Sequence, residues 1–217
     1  MTVTLEGFHA VKHALRFAPS LVRRVTAVDP SAAVALCEQL APDLVTVFAM
    51  RVTEGPSDHP TGVAGAADRP TEDRRVLSRR ASPLVLLDDP RHPGNAGAAI
   101  RVAAAAGASG VALVGSLDPW HPAVVRGSAG LHYALPVLSA GVPELGGPVW
   151  ALDAGGEALG QVPDDVILVV GSERAGVSPS LRERADRVVS LPMREGVSSL
   201  NLATALSAAL YGWRLRG

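Results

Sequence analysis

Three segments of the sequence combine polar side chains with glycines, and each one follows a short apolar run. They comprise residues 88–101, 171–176 and 191–201. The glycines in them, such as Gly94 and Gly97, let a ligand approach the backbone closely. Because ligands of open α/β sheets bind at the carboxyl ends of the strands, these segments are candidate ligand-binding loops.

Taken singly, each segment also has a purely structural explanation. Arg101, about two turns into a helix, suits an ordinary surface position. Glu173 can hold a cation or accept a hydrogen bond from a hydroxyl, but the helix dipole also favours it near a helix N-terminus. Ser198 or Ser199 suits an N-cap, and Asn201 a place in the first turn. The first segment has no GxGxxG pattern, so a nicotinamide cofactor has little support.

The elements around these segments predict an α/β fold over residues 83–217. Apolar runs typical of strands occur at 84–88, 111–114, 149–152, 166–170 and 188–191. Segments typical of helices occur at 95–107, 121–129, 179–185 and 198–216. Uninterrupted apolar strands that alternate with helices indicate a mostly parallel sheet with helices on both faces.

The N-terminal part reads as a smaller α/β domain over residues 1–68. Its pattern predicts helices at 7–17 and 31–40 and strands at 21–28, 44–48 and 62–66. Residues 69–82 contain five arginines and little apolar character, which predicts a solvated linker. The same arginines could also contact RNA phosphate.

The last helix is apolar around its whole circumference. Leucines, alanines and Trp213 occupy positions that face in all directions of a helix with 3.6 residues per turn. We expect the sheet to cover one side and a second subunit the other, with Leu206 and Leu210 as candidate interface residues.

Composition indicates a folded chain and leaves its partners open. Hydrophobic residues make up 47% and charged residues 19%, so the chain can bury a sizeable core and is not of the disordered class. The net charge is -1, without the basic excess that nucleic-acid binders often show. Nearly all basic residues are arginines, with Lys12 the single lysine. Arginine suits phosphate recognition, but a GC-rich codon bias explains the same preference.

Cysteine and hydropathy patterns point to a soluble cytoplasmic protein. Cys37 is the single cysteine, so the chain has no internal disulfide and no cysteine metal cluster. The six histidines show no ligand spacing. Glu6 and His9 interrupt any early apolar run, which argues against a signal peptide. No segment approaches the ~20 apolar residues of a membrane span.

In combination, the three segments resemble the SpoU/TrmH branch of the SPOUT methyltransferases. The motif Asn-x-Gly-x-x-x-Arg is matched by Asn95, Gly97 and Arg101, and the motif Gly-x-Glu-x-x-Gly by Gly171, Glu173 and Gly176. The motif Pro-Met…Ser-Leu-Asn is matched by Pro192, Met193, Ser199, Leu200 and Asn201. Residues 125–130 are similar to a further family segment with Ser-Ala-Gly before a strand. The four matches occur in order within residues 84–213.

This resemblance implies a particular fold and assembly. The family has a C-terminal trefoil knot that holds the cofactor in knotted loops, and it is dimeric with its sites at the subunit interface. Residues 5–11 and 62–64 resemble the small L30e-like substrate domain that precedes the catalytic domain. We therefore expect an RNA-binding domain over 1–68, a linker over 69–82 and a methyltransferase domain over 83–217.

The resemblance also implies a reaction, which is methylation of a ribose 2′-hydroxyl of tRNA or rRNA by S-adenosylmethionine. The cofactor is expected at Gly171, Leu191, Met193 and Leu200. Catalytic roles are expected for Asn95, Arg101, Glu173, Ser199 and Asn201. Because a guanidinium stays protonated in proteins, Arg101 is expected to bind the adjacent phosphate and stabilise the developing alkoxide. The other four would orient Arg101 and the ribose, and no metal ion is needed.

Two other functions compete with this one. A non-catalytic RNA-binding or ribosome-associated module could use the same fold, and its mark would be the loss of Arg101, Glu173 or Asn201, all of which are present. An α/β enzyme that uses another nucleotide is the second, and cofactor screening would expose it. The sequence leaves open which RNA is modified.

Overall fold

The first part of the chain forms a four-stranded mixed sheet with three helices. The computed structural model describes residues 1–172 and 175–216. The elements of this part are β1 (Thr2–Glu6), α1 (Phe8–Phe17), β2 (Val22–Ala27), α2 (Pro30–Leu40), α3 (Val45–Ala49), β3 (Val52–Glu54) and β4 (Val63–Asp68). The strand order is β1-β4-β2-β3, with β4 antiparallel to both neighbours and β2 parallel to β3.

The second part is built on a six-stranded sheet whose order is β10-β8-β9-β5-β6-β7. Its elements are β5 (Leu84–Asp88), α4 (Pro93–Ala106), β6 (Gly110–Val114), α5 (Pro122–Gly127), β7 (Val137–Ser139), β8 (Val149–Ala158), β9 (Ile167–Val170), α6 (Pro179–Arg184), β10 (Arg187–Ser190) and α7 (Leu202–Arg214). Every strand pair in it is parallel. The parallel α/β sheet predicted from the sequence is therefore confirmed.

Both faces of this sheet are buried, and β5 shows how. Val85 and Leu87 join the apolar cluster formed with α4 and α7, whereas Leu84 and Leu86 join a second cluster on the opposite face. All four side chains are fully buried. An uninterrupted apolar strand is the pattern that a sheet covered on both sides requires.

The arginine-rich segment contributes to that second cluster. A 3-10 turn at Arg74–Leu77 places Val76 and Leu77 in it, and both side chains are buried. The Arg80 guanidinium donates to the backbone carbonyls of Val76, Leu77, Gly146 and Asp165. The prediction of a solvated linker is therefore wrong for residues 74–80, because Val76 and Leu77 pack against one face of the sheet.

Three further arginines of this segment form ion pairs with carboxylates of the chain itself. Arg69 pairs with Asp118 at 2.7 Å, Arg75 with Asp73 at 2.7 Å, and Arg74 with Glu72 at 3.0 Å and with Glu144. Each pair lies at least partly exposed, where such interactions contribute little stability.

Residues 44–48 are helical, so the predicted strand there is wrong. A 3-10 turn at Pro42–Leu44 leads into α3, which places Phe48 edge-on against Phe8 with ring centroids 5.6 Å apart. Phe48 is fully buried, and this packing outweighs the strand preference of the β-branched residues beside it. The short strands β1, β3 and β7 were not predicted, because none of them is a continuous apolar run.

The final helix begins later than predicted, and its burial is one-sided. Asn201, rather than Ser198 or Ser199, is the N-cap, since its Oδ1 accepts from the Ala203 amide at 2.9 Å. Leu206 and Leu210 are fully buried in the chain's own core, so they are not available to a partner subunit. The exposed side of α7 carries Ala208, Tyr211 and Leu215 instead.

The two parts of the chain meet where α1 rests against the segment after α5. Gly130 has a φ of 75°, and a Cβ there would lie 2.7 Å from the Ala10 carbonyl oxygen. The His13 ring bonds through Nδ1 to the Ala129 carbonyl at 2.7 Å, and because a carbonyl only accepts, Nδ1 carries the proton. Buried residues of both parts form one continuous apolar cluster.

Candidate active site

A cavity of about 310 Å³ lies at the carboxyl ends of β9 and β10, beside the middle of β8. Five residues predicted for the site line it, namely Gly171, Leu191, Met193, Ser199 and Leu200. The second and third motif segments are thus brought together, as the resemblance implied. Leu202 and Ala205 of α7 close another side of the cavity.

The loop after β9 depends on two glycines. A Cβ on Gly171 would lie 2.1 Å from the Gly176 carbonyl carbon and 2.3 Å from the Val177 nitrogen, which is far inside contact distance. Ser172 and Gly176 exchange two backbone hydrogen bonds, each 3.0 Å long. Gly176 has a φ of 67°, a conformation that favours glycine. Glycine at both ends of the motif is therefore a requirement of the tight loop.

A detour in β8 forms a wall that the sequence reasoning missed. Ala151 pairs with Val188 and Glu157 with Val189, so residues 152–156 leave the pairing with β10. Within this detour, Leu152, Asp153 and Ala154 line the cavity. The sequence signal for this wall is Asp153, an acidic residue that directly follows an apolar run. The polar residues of the three motif segments follow apolar runs in the same way.

Asp153 places a negative charge at the cavity. Burial alone would raise the pKa of this carboxyl, but it is outweighed by the Gly155 amide, which donates to Oδ1 at 3.1 Å, and by Arg182, whose guanidinium lies 2.6 Å from Oδ2. The pKa is consequently below its ordinary value. The carboxylate is charged at neutral pH.

The first and third motifs meet at a pair of asparagines. Asn201 Nδ2 donates to Asn95 Oδ1 at 3.2 Å, while Asn201 Oδ1 accepts from the first amides of α7. The two contacts use opposite ends of the same amide, so they fix its orientation. Asn201 directly follows the cavity residue Leu200, which places the pair at the rim of the cavity.

Glycine is needed at position 97 for helix packing, not for the close approach of a ligand that the sequence predicts. A Cβ on it would lie 2.5 Å from the Val124 carbonyl oxygen and 2.7 Å from the Gly127 Cα. Gly97 therefore lets α4 pack closely against α5, and the expected approach of a ligand at this residue is wrong. Gly94, in the first turn of α4, has no atom within 4 Å of the corresponding position.

Arg101 lies apart from the cavity. It is exposed on α4, six residues beyond Asn95, which corresponds to about 9 Å along the helix axis. Burial lowers the pKa of His9 and of Lys12 on α1, and the positive charge of Arg101 is a smaller contribution in the same direction. Glu173, the remaining predicted catalytic residue, lies outside the described residues.

Within residues 1–172 and 175–216 the structure shows neither a candidate metal site nor a candidate membrane-spanning helix. That part of the chain contains no group of three or more histidine, cysteine, aspartate or glutamate side chains arranged to hold a metal ion. Its helices include none with the length and apolar character needed to cross a membrane.

Named relatives share the whole length of this chain or most of it. A protein of Bacillus subtilis (strain 168), the 23S rRNA (guanosine(2553)-2'-O)-methyltransferase RlmP, is 30% identical over 233 residues, which cover 100% of this chain and 89% of the relative. The 23S rRNA (uridine(2479)-2'-O)-methyltransferase of Streptomyces viridochromogenes is 33% identical over 190 residues, which cover 79% of this chain and 64% of that relative.

Solved structures show the same architecture. The SpoU methyltransferase AviRb from Streptomyces viridochromogenes, in complex with the cofactor AdoMet, superimposes with a TM-score of 0.79 at 27% identity, over 98% of this chain and 89% of that one. An AdoMet-bound rRNA methyltransferase from Sinorhizobium meliloti gives 0.73 at 26% identity, over 98% and 87%. The sequence of residues 82–211, more than half of the chain, matches the SpoU rRNA Methylase family. The chain belongs to the SpoU rRNA methylase family.

Proposed function

We propose that this protein transfers a methyl group from S-adenosylmethionine to a ribose 2′-hydroxyl of ribosomal RNA. The observation that carries the proposal is the cavity at the carboxyl ends of β9 and β10, which is lined by the predicted cofactor residues. Two relatives are named 23S rRNA 2′-O-methyltransferases, and a structural neighbour holds AdoMet. A non-catalytic RNA-binding module has no comparable support.

The cavity has the chemistry that the cofactor needs. Leu152, Leu191 and Leu200 offer apolar walls to a purine ring, and the side-chain-free backbone at Gly171 can approach it closely. The charged carboxylate of Asp153 complements the positive sulfonium and ammonium groups of S-adenosylmethionine. We assign cofactor binding to this set together with Met193.

The remaining motif residues are assigned to the ribose and its phosphate. S-adenosylmethionine, when bound, would supply an electrophilic methyl group for the ribose oxygen. Asn95, Asn201 and Ser199, at the rim and wall of the cavity, hold the ribose by hydrogen bonds. Arg101, still protonated, binds the adjacent phosphate and stabilises the developing alkoxide. Glu173 is proposed to orient these groups.

The proposal extends to the parts of the chain and their topology. The loops at 171–176 and 191–201 are proposed to be the knotted loops of a trefoil, which is supported by their meeting in one cavity. Residues 1–68 are proposed as an L30e-like RNA-binding domain and residues 83–217 as the methyltransferase domain, joined by residues 69–82. We also propose a cytoplasmic location, which a ribosomal RNA substrate would favour.

The position of the new methyl group tests the proposed function. Unmodified 23S rRNA treated with the protein and S-adenosylmethionine is expected to gain a linkage that resists alkaline cleavage, because a 2′-O-methyl ribose cannot attack its own phosphodiester. Mass spectrometry of the digest should place the added mass on the sugar. Carbon methylation of a pyrimidine needs a cysteine nucleophile, and Cys37 is fully buried in α2. A methylated base on an unmodified ribose contradicts the proposal.

We also propose a homodimer that uses the exposed side of α7. Ala208 and Tyr211 are exposed on this side and Leu215 directly follows the helix, with Tyr211 38% and Leu215 78% exposed. Aromatic and aliphatic side chains exposed in one patch are typical of subunit interfaces. The family resemblance implies a dimer independently.

Light scattering is expected to give twice the 22.3 kDa chain mass for the wild type and the single chain mass for Tyr211→Glu, because the new carboxylate would have to be buried unpaired. The matched control is Leu40→Glu, at a leucine that is 45% exposed on α2. It should stay dimeric. An active wild-type monomer, or equal dissociation of both variants, argues against this interface.

A further inference from the structure

Asp88 is a buried carboxyl group at the end of an otherwise apolar strand. It is the last residue of β5 and is 3% exposed, and the four residues before it are apolar and fully buried. Burial of a carboxyl group costs stability unless hydrogen bonds compensate for it. Packing alone would therefore favour an apolar residue at this position, so the bonding partner of Asp88 has to explain it.

The sheet holds Asp88 rigidly in place. β5 is an inner strand, flanked by β9 and β6. Asp88 pairs with Val114 of β6, and the next residue along the chain donates its amide to the Val114 carbonyl at 2.7 Å. On the other side, Leu87 pairs with Val170 in parallel, so Asp88 lies level with Gly171. The carboxyl group is thus fixed beside the start of the loop after β9.

The far end of that loop is bonded to the same carboxyl group. Asp88 Oδ2 accepts from the Ser178 amide at 2.6 Å, a contact between residues 90 positions apart. Ser178 lies two residues beyond Gly176 and is the N-cap of α6. Asp88 therefore holds the point at which the chain leaves the loop and enters α6, and it joins the first motif segment to the second.

Close packing transmits this restraint to the cavity. Gly171 and Gly176 approach so closely that a Cβ on the first would lie 2.1 Å from the carbonyl carbon of the second. A shift at the end of the loop must therefore move Gly171 and Ser172, which line the cavity. A Cβ on Gly176 would also lie 3.3 Å from Asp153 Oδ2, which Arg182 of α6 approaches to 2.6 Å. Two walls of the cavity, the loop and the detour of β8, thus depend on where α6 begins.

We propose that Asp88 is a positioning residue for the cofactor, because its bond to the Ser178 amide holds the loop at 171–176 in the shape that binds S-adenosylmethionine. Asp88 is absent from the described lining of the cavity, so it acts through the loop and not by contact with the cofactor. Without the acceptor, the loop can leave this shape, and ordering it again on binding costs affinity. The proposal rests on the proposed function and adds to it a residue outside the matched motif positions.

Calorimetry and kinetics on two variants of Asp88 test the proposal. Asp88→Ala removes the acceptor without adding an atom, and its Kd for S-adenosylmethionine is expected to rise about tenfold, measured where melting curves show folded protein. Asp88→Asn keeps an acceptor oxygen and should stay within about threefold of the wild type. In Asp88→Ala, KM for the cofactor should rise, while kcat on 23S rRNA at saturating cofactor should stay within about twofold.

The matched control is Ser128→Ala, which removes another buried polar group that bonds within the chain. The Ser128 hydroxyl is fully buried and donates to the Val125 carbonyl at 2.9 Å, outside the described lining of the cavity. Its melting temperature should fall while its Kd for the cofactor stays that of the wild type. Unchanged affinity in folded Asp88→Ala, or an equal loss in Ser128→Ala or Asp88→Asn, would overturn the proposal.

A second variant covers the case in which Asp88→Ala does not fold. Asp88→Ser, whose hydroxyl ends one bond short of the carboxyl oxygen, is then measured with the same expectation and the same control. A wild-type protein that does not bind S-adenosylmethionine would refute the proposed function itself. Wild-type binding with no change in the Asp88 variants would refute the role of Asp88 and leave the proposed function in place.

Discussion

Arg101→Ala is expected to lower kcat for methyl transfer about 10²–10³-fold, roughly 3–4 kcal/mol in the activation free energy, because one preorganised charge-stabilising donor is lost. The Kd for S-adenosylmethionine should not change, since Arg101 lies outside the lining of the cavity. The fold should tolerate the change, because the side chain is exposed and alanine is the best helix former. Single-turnover kinetics and calorimetry on the same preparation measure both quantities.

The control is Arg24→Ala, which removes an exposed arginine from β2 and should retain wild-type turnover. Near-normal turnover in Arg101→Ala would show that Arg101 is an ordinary surface residue of α4. An equal loss of cofactor affinity would show that it acts on the cofactor rather than on the RNA.

Gly171→Ala is expected to weaken S-adenosylmethionine binding at least 100-fold from a micromolar Kd, a loss of about 2.7 kcal/mol or more. The added Cβ would lie 2.1 Å from the Gly176 carbonyl carbon, so the backbone of the loop must move. That loop forms one wall of the cavity. The substitution is a sharper test than Leu200→Arg, because Leu200 is 43% exposed and a longer side chain there can turn towards solvent.

Gly160→Ala is the matched control, since no atom lies within 4 Å of its added Cβ. Calorimetry should show wild-type affinity for it, and thermal melting should show that both variants are folded. Unchanged affinity in Gly171→Ala would place the cofactor elsewhere. A wild-type protein that binds neither S-adenosylmethionine nor its demethylated product, but binds ATP, would move the enzyme to another cofactor class.

The large sheet could be predicted because its strands are buried on both faces. The run Val-Ile-Leu-Val-Val at 166–170 has no polar interruption, and a strand of that kind needs cover on both sides. The edge strand β1 alternates exposed and buried residues over five positions and offered no such signal. Residues 45–49 have a strand-like composition, but as a helix they place Phe48 against Phe8, a contact between residues far apart in the sequence.

Some features of the site depend on residues that are close together in the sequence, whereas others depend on contacts between distant residues. The tight turn between Gly171 and Gly176 is local, and its glycines are visible in the sequence. Asp153 reaches the cavity through a shift of register between β8 and β10, which depends on strand pairing. The hydrogen bond between Asn95 and Asn201 depends on how α7 docks beside α4. Pairing and docking are tertiary events, so no short motif encodes them.

The hydrogen bond between Asn95 and Asn201 has a consequence for the order in which a growing chain acquires its parts. It joins residues 106 positions apart, and the cavity walls extend from Leu152 to Ala205. Contacts between distant residues form only after the later one has emerged from the ribosome. All strands of the first sheet end by Asp68, so this sheet can form before the later residues have emerged. A ribosome that stalls before codon 200 therefore displays a chain that has all the strands of its first sheet but no closed pocket for a cofactor.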